Sequence, residues 1–325
     1  MKETAITRLL ADRAICCGCR VNRRDFLKIQ LKGALWAVAG ASGLWLPRAA
    51  HAGPAPTVSV VTGKPGPATR ASVELLGGMK HFVKPGQKVI IKPNMSFGNG
   101  ESGATNTDVN VVKAVAVMCH AAGAESIRIL DHPLGHPKYC VEDILAACRE
   151  IRPEMVAAIT DAKRFKEVKL SDSWLGFNST DVMQEVLDAD VLIAVPKAKE
   201  HHAAQVSLSM KGMMGLVYDR WAMHSITGLD KAIVTLATTL KADLTVVDAT
   251  RVLSTNGPRG PGKIISENKV IASADMVAAD AMTVSLCTFN GTRLRPADVD
   301  HIKLAHEEGL GRMDVENLPV KKITV

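Results

Sequence analysis

Lysine and histidine recur at the ends of apolar runs in this chain, in a pattern suited to acid/base or anion-binding chemistry. The run Val191–Val195 is followed by Pro196-Lys197-Ala198-Lys199-Glu200-His201-His202. Alternate residues of an extended segment face one side, so Lys197, Lys199 and His201 are expected to point together. By the same alternation only one of the two adjacent histidines joins them. Other apolar runs end in Lys92-Pro93-Asn94, Asp131-His132 and Asp248-Ala249, and Lys211 closes the segment after Val206–Met210. Gathered ammonium groups depress one another's pKa, as does loss of water. Such a cluster either binds an anion or prepares one lysine as base or nucleophile. Lys197, Lys199, His201, Lys211 and His224 are the candidate catalytic residues, with the histidines carrying protons near neutral pH. Lys92, Asn94, Asp131, Asp248, Gly257 and Gly260 are the candidates for binding a cofactor. So many like charges repel, so the fold is expected to tolerate loss of Lys197, Lys199 or His201 with little change in melting temperature.

Carboxylates offer the counterpart. Asp131, Asp248, Asp275 and Asp280 either balance the lysines or hold a metal, and the plainer reading of Asp275 and Asp280 is that they start helices. Met210, Met213, Met214 and Met223 read as core rather than as soft metal ligands. His132 and His136 are four apart, but Pro133, Gly135 and Pro137 exclude the helix that would align them. With Cys140 they make either a loop metal site or an ordinary surface loop, and no metal site is assigned.

Two glycine-rich patterns fail on context. Gly98-Asn99-Gly100-Glu101-Ser102-Gly103 matches G-x-G-x-x-G, but Pro93–Phe97 separate it from the strand end and a helix begins only near Asp108. A dinucleotide site needs the glycines at the strand-to-helix turn itself. Gly257-Pro258-Arg259-Gly260-Pro261-Gly262-Lys263 matches G-x-x-x-x-G-K, but Ile264 replaces the magnesium-binding hydroxyl and two prolines remove N–H donors. That loop reads as a rigid turn close to a ligand. Neither His-Glu-x-x-His nor Gly-x-Ser-x-Gly occurs.

The elements that must position these residues alternate along the chain. Expected strands are Thr57–Val61, Lys88–Lys92, Ser126–Asp131, Val191–Val195, Asp243–Asp248, Lys269–Ala272 and Lys321–Val325. Several are continuously apolar, as strands buried on both faces must be. Expected helices are Asp108–Ala122, Glu142–Glu150, Asp181–Leu187, Asp230–Leu240, Met276–Leu286 and Val299–Glu308. The alternation predicts an α/β fold, a mostly parallel sheet with helices on both faces. Ligands of such sheets bind at the carboxyl ends of the strands, which is where the lysines fall.

Residues 1–52 read as a separate export signal, 53–57 as a linker and 58–325 as one α/β domain. Asn22-Arg23-Arg24-Asp25-Phe26-Leu27-Lys28 precedes a soft apolar stretch, Leu31–Leu46, and a small-residue cleavage site at Ala50-His51-Ala52. The stretch is shorter than the ~20 residues a spanning helix needs. It closely resembles a twin-arginine (Tat) signal, Ser/Thr-Arg-Arg-x-Phe-Leu-Lys, departing only at Asn22. The resemblance implies the Tat translocase as partner, a periplasmic location, and export in the folded state with any metal or anionic cofactor already inserted. No later segment qualifies as a membrane span. Cys16, Cys17 and Cys19 would leave with the signal, and Cys119 and Cys148 read as buried core, although export permits a disulfide. The segment 1–52 holds nine Lys/Arg and three Asp/Glu of the chain's 40 and 33, so a net charge of +7 falls to +1 beyond it. With aromatics at 4%, nucleic-acid binding is not expected.

Several segments together resemble one family, the bacterial and archaeal domain of unknown function 362. They are Val89–Asn94, Asp108–Asp131, Val191–Lys211 with its Pro-Lys-Ala-Lys-Glu-His, Asp243–Gly262, Ser273–Asp280 and Ala305–Gly311. Gly212 and Asn256 depart from the pattern. Many relatives carry a ferredoxin module, so the resemblance implies an association with iron–sulfur chemistry and a separate ferredoxin-type partner, since this chain has no iron–sulfur motif. Two functions fit: an exported enzyme acting on a small anionic molecule or cofactor by redox or acid/base chemistry, or a non-catalytic periplasmic binding protein for a metal complex or anionic ligand.

Overall fold

The computed structural model describes residues 58–325, apart from 99, 101, 175–176 and 226–227. The signal and linker expected over 1–57 lie outside the described residues. Twelve strands run in order: β1 (Val58–Thr62), β2 (Lys88–Pro93), β3 (Ser126–Asp131), β4 (Val156–Ala158), β5 (Phe165–Trp174), β6 (Phe177–Met183), β7 (Val191–Val195), β8 (Lys197–His201), β9 (Gln205–Ser207), β10 (Leu244–Leu253), β11 (Ile264–Ser273) and β12 (Val320–Thr324). The helices that matter here are α1 (Pro65–Glu74), α2 (Val109–Ala121), α3 (Pro137–Cys148), α4 (Ser209–Gly212), α5 (Trp221–Ser225), α6 (Leu229–Thr239), α7 (Met276–Leu286) and α8 (Asp300–Glu307).

Ten strands form one sheet in the order β12-β1-β11-β10-β7-β2-β3-β4, with β8 on β10 and β9 on β8. All the neighbours from β10 to β4 are parallel, and β11 runs against both β1 and β10. The sheet is therefore mixed and mostly parallel. Its strands are apolar on both faces because both are covered. Val89, Ile91, Ile193 and Val246 pack with residues of α1, α2 and α3 on one side. Ile90, Leu192, Ala194 and Val247 pack with α4, α6, α7 and α8 on the other. Period-two alternation thus separates two apolar layers. No described helix is long and apolar enough to cross a membrane.

Local signals fix the ends. The Asp108 side chain accepts from the Asn110 N–H and starts α2, and Gly123, at φ +92°, follows its last turn. Asp275 likewise accepts from Ala278 N–H and starts α7. Asp280 does not start a helix. It lies inside α7 and accepts from the N–H groups of Ser209 and Met210, so it caps the neighbouring α4. The helix expected over Asp181–Leu187 is a strand through Met183 followed by one turn, Gln184–Leu187. The strand expected to end at Asp248 continues to Leu253, and its partner starts at Ile264, so the glycine–proline loop is the tip of a long hairpin.

β8 prolongs the line of β7 beyond Pro196 and stays against β10, where Lys197 faces Asp248 in register. Their side chains meet at 2.8 Å and are almost wholly buried. The Asp248 carboxylate also accepts from Thr250 N–H, the Thr250 hydroxyl and Asp108 N–H. Burial alone would raise this carboxyl, but Lys197, Thr250 and Asp108 hold it below the ordinary range. The expectation that Lys197 is dispensable is overturned, because its removal strands a buried carboxylate. Lys197→Ala should lower the unfolding free energy by about 3–5 kcal/mol in denaturant titration. A loss under about 1 kcal/mol would show that the pair does not hold β8.

Candidate functional site

The lysines converge at the carboxyl edge of β2, β3 and β7, but they are not equivalent. Lys92, Lys197 and Lys199 are only 3%, 2% and 1% exposed. An ammonium so buried needs acceptors. Lys92 Nζ donates to Pro93 O at 2.6 Å and lies 3.1 Å from Asp131 Oδ1. Asp131 Oδ2 accepts from Met95 N–H and the Ser96 hydroxyl, which fastens the segment after β2 to the end of β3. Burial lowers the Lys92 pKa, and Asp131 opposes that. Lys199 Nζ donates to Asn94 Oδ1 at 3.2 Å and Thr105 O at 2.7 Å and sits 4.7 Å from the centre of the Phe97 ring. Burial, then the charges of Lys92 and Lys211, pull this amine well down. Its surroundings nonetheless suit an ammonium: two oxygens and a ring face take three protons and leave no outlet for a lone pair.

Lys211 differs. It is half-buried on α4 and donates to no acceptor among the described residues. Burial, followed by the Arg220 and Lys92 charges, lowers it from 10.5 to about 7. Arg220 donates to Pro133 O at 3.4 Å and has no carboxylate at ion-pair distance among the described residues. Lys211 and Arg220 are thus two cations without a carboxylate at ion-pair distance among the described residues, and Asp131 acts on Arg220 only from farther off.

The histidines divide similarly. His201 Nδ1 accepts from the N–H groups of Ala203 and Ala204, both at 3.2 Å, so its proton is on Nε2. Burial, then Lys211, pushes its pKa down to about 2. His201 is therefore a fixed neutral donor and not the proton carrier expected from sequence. β8 ends at His201, and beyond it the chain turns so that His202 stacks on His201 at 5.1 Å instead of pointing away. His224, exposed on α5, donates from Nδ1 to Arg220 O at 2.8 Å, which leaves Nε2 as an acceptor. Burial and Lys211 lower its pKa, and its ring is 6.2 Å from that of His201. His132 stacks on Tyr218 and donates from Nδ1 to Val217 O.

Gly257 and Gly260 shape the hairpin tip that packs behind the lysines. A Cβ on Gly257 would meet Glu200 O at 1.8 Å, and the buried Glu200 carboxylate accepts from Gly257 N–H. Gly260 turns at φ +68°. Arg259, between them, stands 6.0 Å from the Phe97 ring that underlies Lys199. Gly257 thus lies against the backbone of β8 and Gly260 supplies the turn, so neither glycine contacts a site lysine through a side chain of its own. His132, His136 and Cys140 do not gather with other ligands; among the described residues no group of three His, Cys, Asp or Glu is placed to hold a metal. Cys119, Cys140, Cys148 and Cys287 are buried free thiols. Met210, Met213, Met214 and Met223 lie in the core.

A family profile described as "Domain of unknown function (DUF362)" matches residues 89–285, a span that contains every residue of this site. The chain belongs to the DUF362 family. It is also 28% identical over 249 residues to the thylakoid-associated protein sll1697 of Synechocystis sp. (strain ATCC 27184 / PCC 6803 / Kazusa), covering 74% of each chain. Among solved structures, the lactate racemase apoprotein from Thermoanaerobacterium thermosaccharolyticum matches with TM-score 0.42 and 12% identity over 70% of this chain and 56% of that one. A SAM dependent methyltransferase from Aquifex aeolicus matches with TM-score 0.21 and 9% identity over 63% and 98%. Neither of these two likenesses bears on the chemistry of this DUF362 site.

Sequence reasoning missed Arg220 and Gly215. Nothing in the pattern around Tyr218-Asp219-Arg220 marks the arginine. Gly215 follows Met213-Met214 just past the family segment that ends at Lys211, and its reason is visible only in space. A Cβ there would stand 2.1 Å from Asp131 Oδ1 and 2.7 Å from Lys92 Nζ. Gly215→Ala should therefore break the Lys92–Asp131 pair and lower the melting temperature by several degrees. An unchanged thermal midpoint would mean that the pair shifts freely and is not a fixed wall of the site.

Proposed function

We propose that this DUF362 chain is an exported enzyme acting by acid/base chemistry on a small anionic molecule. The observation that carries the reading is the surplus of cation: Lys197 and Lys92 have carboxylates and Lys199 has its acceptors, while Lys211 and Arg220 have no carboxylate at ion-pair distance among the described residues. An anionic group between Lys211 and Arg220 supplies the missing charge. Lys211, near half-protonation at neutral pH, takes up or returns a proton, and the free Nε2 of His224 is the second proton-handling atom. The Nε2–H of His201 donates to whatever oxygen gains charge.

The sign of the Lys211 shift gives a direct test. Its folded pKa lies below its unfolded value, so between about pH 7 and 10.5 the unfolded chain holds the extra proton and this group's contribution to stability rises with pH. A bound anion opposes the shift. An acylating reagent should modify Lys211 with a half-maximal rate near pH 7, and inorganic phosphate should both slow the reaction and move its midpoint upward. Labelling of Lys211 no faster than that of surface lysines at pH 7.5, with no protection by phosphate, would refute the acid/base role. Ordinary reactivity with firm phosphate binding would instead favour a non-catalytic anion-binding protein.

Export is supported by Arg23-Arg24 before a weakly apolar stretch, and a thylakoid-associated relative is compatible with it. The Arg23→Lys, Arg24→Lys double variant should accumulate as unprocessed precursor in the cytoplasm. Normal cleavage at Ala52–Gly53 in that variant would refute transport by the twin-arginine route.

A further inference from the structure

Seven large apolar side chains are exposed among the described residues, and four of them lie on the two segments that follow Asp131 and Lys211. Leu134 and Tyr139 follow Asp131 on one segment, while Tyr218 and Trp221 flank Arg220 on another. The two segments are joined. His132 N–H donates to Gly215 O, its Nδ1 donates to Val217 O, its ring stacks on Tyr218, and Arg220 reaches Pro133 O. Tyr218 is 41% and Trp221 69% exposed, and Trp221 has no ring partner among the described residues. Trp221 is held in place by its N–H, which donates to Asp219 Oδ1 at 2.8 Å. It stands three residues before His224 on α5, so the two side chains share a side of that helix.

Tyr218 and Trp221 thus present exposed aromatic surface on either side of Arg220 in the chain. Arg220 has no carboxylate at ion-pair distance among the described residues, and its charge acts on both Lys211 and His224. We infer that the site takes an anion carried on a flat unsaturated ring, with Lys211 and Arg220 holding the anionic group and Trp221 and Tyr218 covering the ring. This rests on the reading of the lysine cluster as an anion site and adds the chemistry of the molecule's body. The charged end enters beside His201 and His224, and the ring stays at the rim, where aromatic faces are available and cations are not.

The anion site and the ring contact are tested separately by a calorimetric titration of the full chain with inorganic phosphate and with phenyl phosphate, which share the anionic group. Phenyl phosphate should bind at least about twofold more tightly, the least that one aromatic contact supplies. Trp221→Ala should abolish that preference and leave inorganic phosphate binding unchanged; its exposure makes misfolding an unlikely confounder. Arg220→Gln should weaken both probes about tenfold or more. Arg220→Lys, which keeps the charge but loses the fork, should fall between and serves if the glutamine variant does not fold. Equal affinity for the two probes, or a preference that survives Trp221→Ala, overturns the ring assignment and leaves the anion site standing. Failure of both probes to bind the unmodified chain overturns the ring assignment and the anion site together.

Discussion

Burying ammonium groups at the carboxyl edge of a sheet is the constraint around which this molecule is arranged. Each such group loses its hydration, and the protein must return acceptors or see the group discharge. The Lys197–Asp248 and Lys92–Asp131 pairs answer that need and at the same time tie chain segments together, β8 to β10 and β2 to β3. The carboxylates have further work. Asp248 accepts the N–H of Asp108 at the start of α2, and Asp131 accepts the N–H of Met95 beyond β2. Loss of either pair would therefore disturb several strand ends together. A buried pair is weak evidence of stability in itself, since two apolar residues could fill the same space. What these pairs supply is register and a fixed floor on which the uncommitted groups stand.

That floor explains why Lys211 behaves differently from the other three lysines. It projects from α4, outside the sheet, and meets no acceptor among the described residues. The nearby charges of Arg220 and Lys92 are both repulsive. Lys199 is also pulled well down by burial and by its neighbours, but two oxygens and a ring face receive it, whereas Lys211 has repulsion without those contacts. Perturbed groups of this kind cluster at functional sites, and structural networks produce them too.

Much of the sheet was legible in the sequence because strands buried on two faces are continuously apolar. The strands Ser126–Asp131 and Val191–Val195 fall where the pattern puts them, and so does the helix Met276–Leu286. The β5–β6 hairpin was not legible: Phe165–Trp174 and Phe177–Met183 carry charged residues and form a separate two-stranded sheet, joined to the rest by a single bridge from Val182 to Val217. The clustering of Lys197, Lys199 and His201 was legible from alternation. Their burial was not, because lysine carries an exposed prior that only a partner found elsewhere in the chain can reverse. Asp248 is 51 residues from Lys197, and Asn94 is 105 from Lys199. The state of His201 was hidden for another reason, since the two N–H groups that fix its Nδ1 belong to a turn its own strand end creates.

Asp280 shows how far the support of the site reaches. It lies on α7, on the apolar side of the sheet, and its carboxylate accepts both leading N–H groups of α4, the short helix that carries Lys211. Burial raises its pKa to about 6 despite those donors. Between about pH 3.8 and 6 the folded chain therefore holds more protons than the unfolded one, and the cost of ionising Asp280 grows as pH rises through that window. Above it, the two N–H contacts to the ionised carboxylate offset only part of its burial cost. Lys211 is shifted the other way, down to about 7, so burial opposes charge at both ends of α4. The short helix that carries Lys211 is thus anchored by a carboxylate under the same constraint as the amine it positions: each is charged only against the loss of its water, and an anion bound at Lys211 would relieve that cost at one of the two.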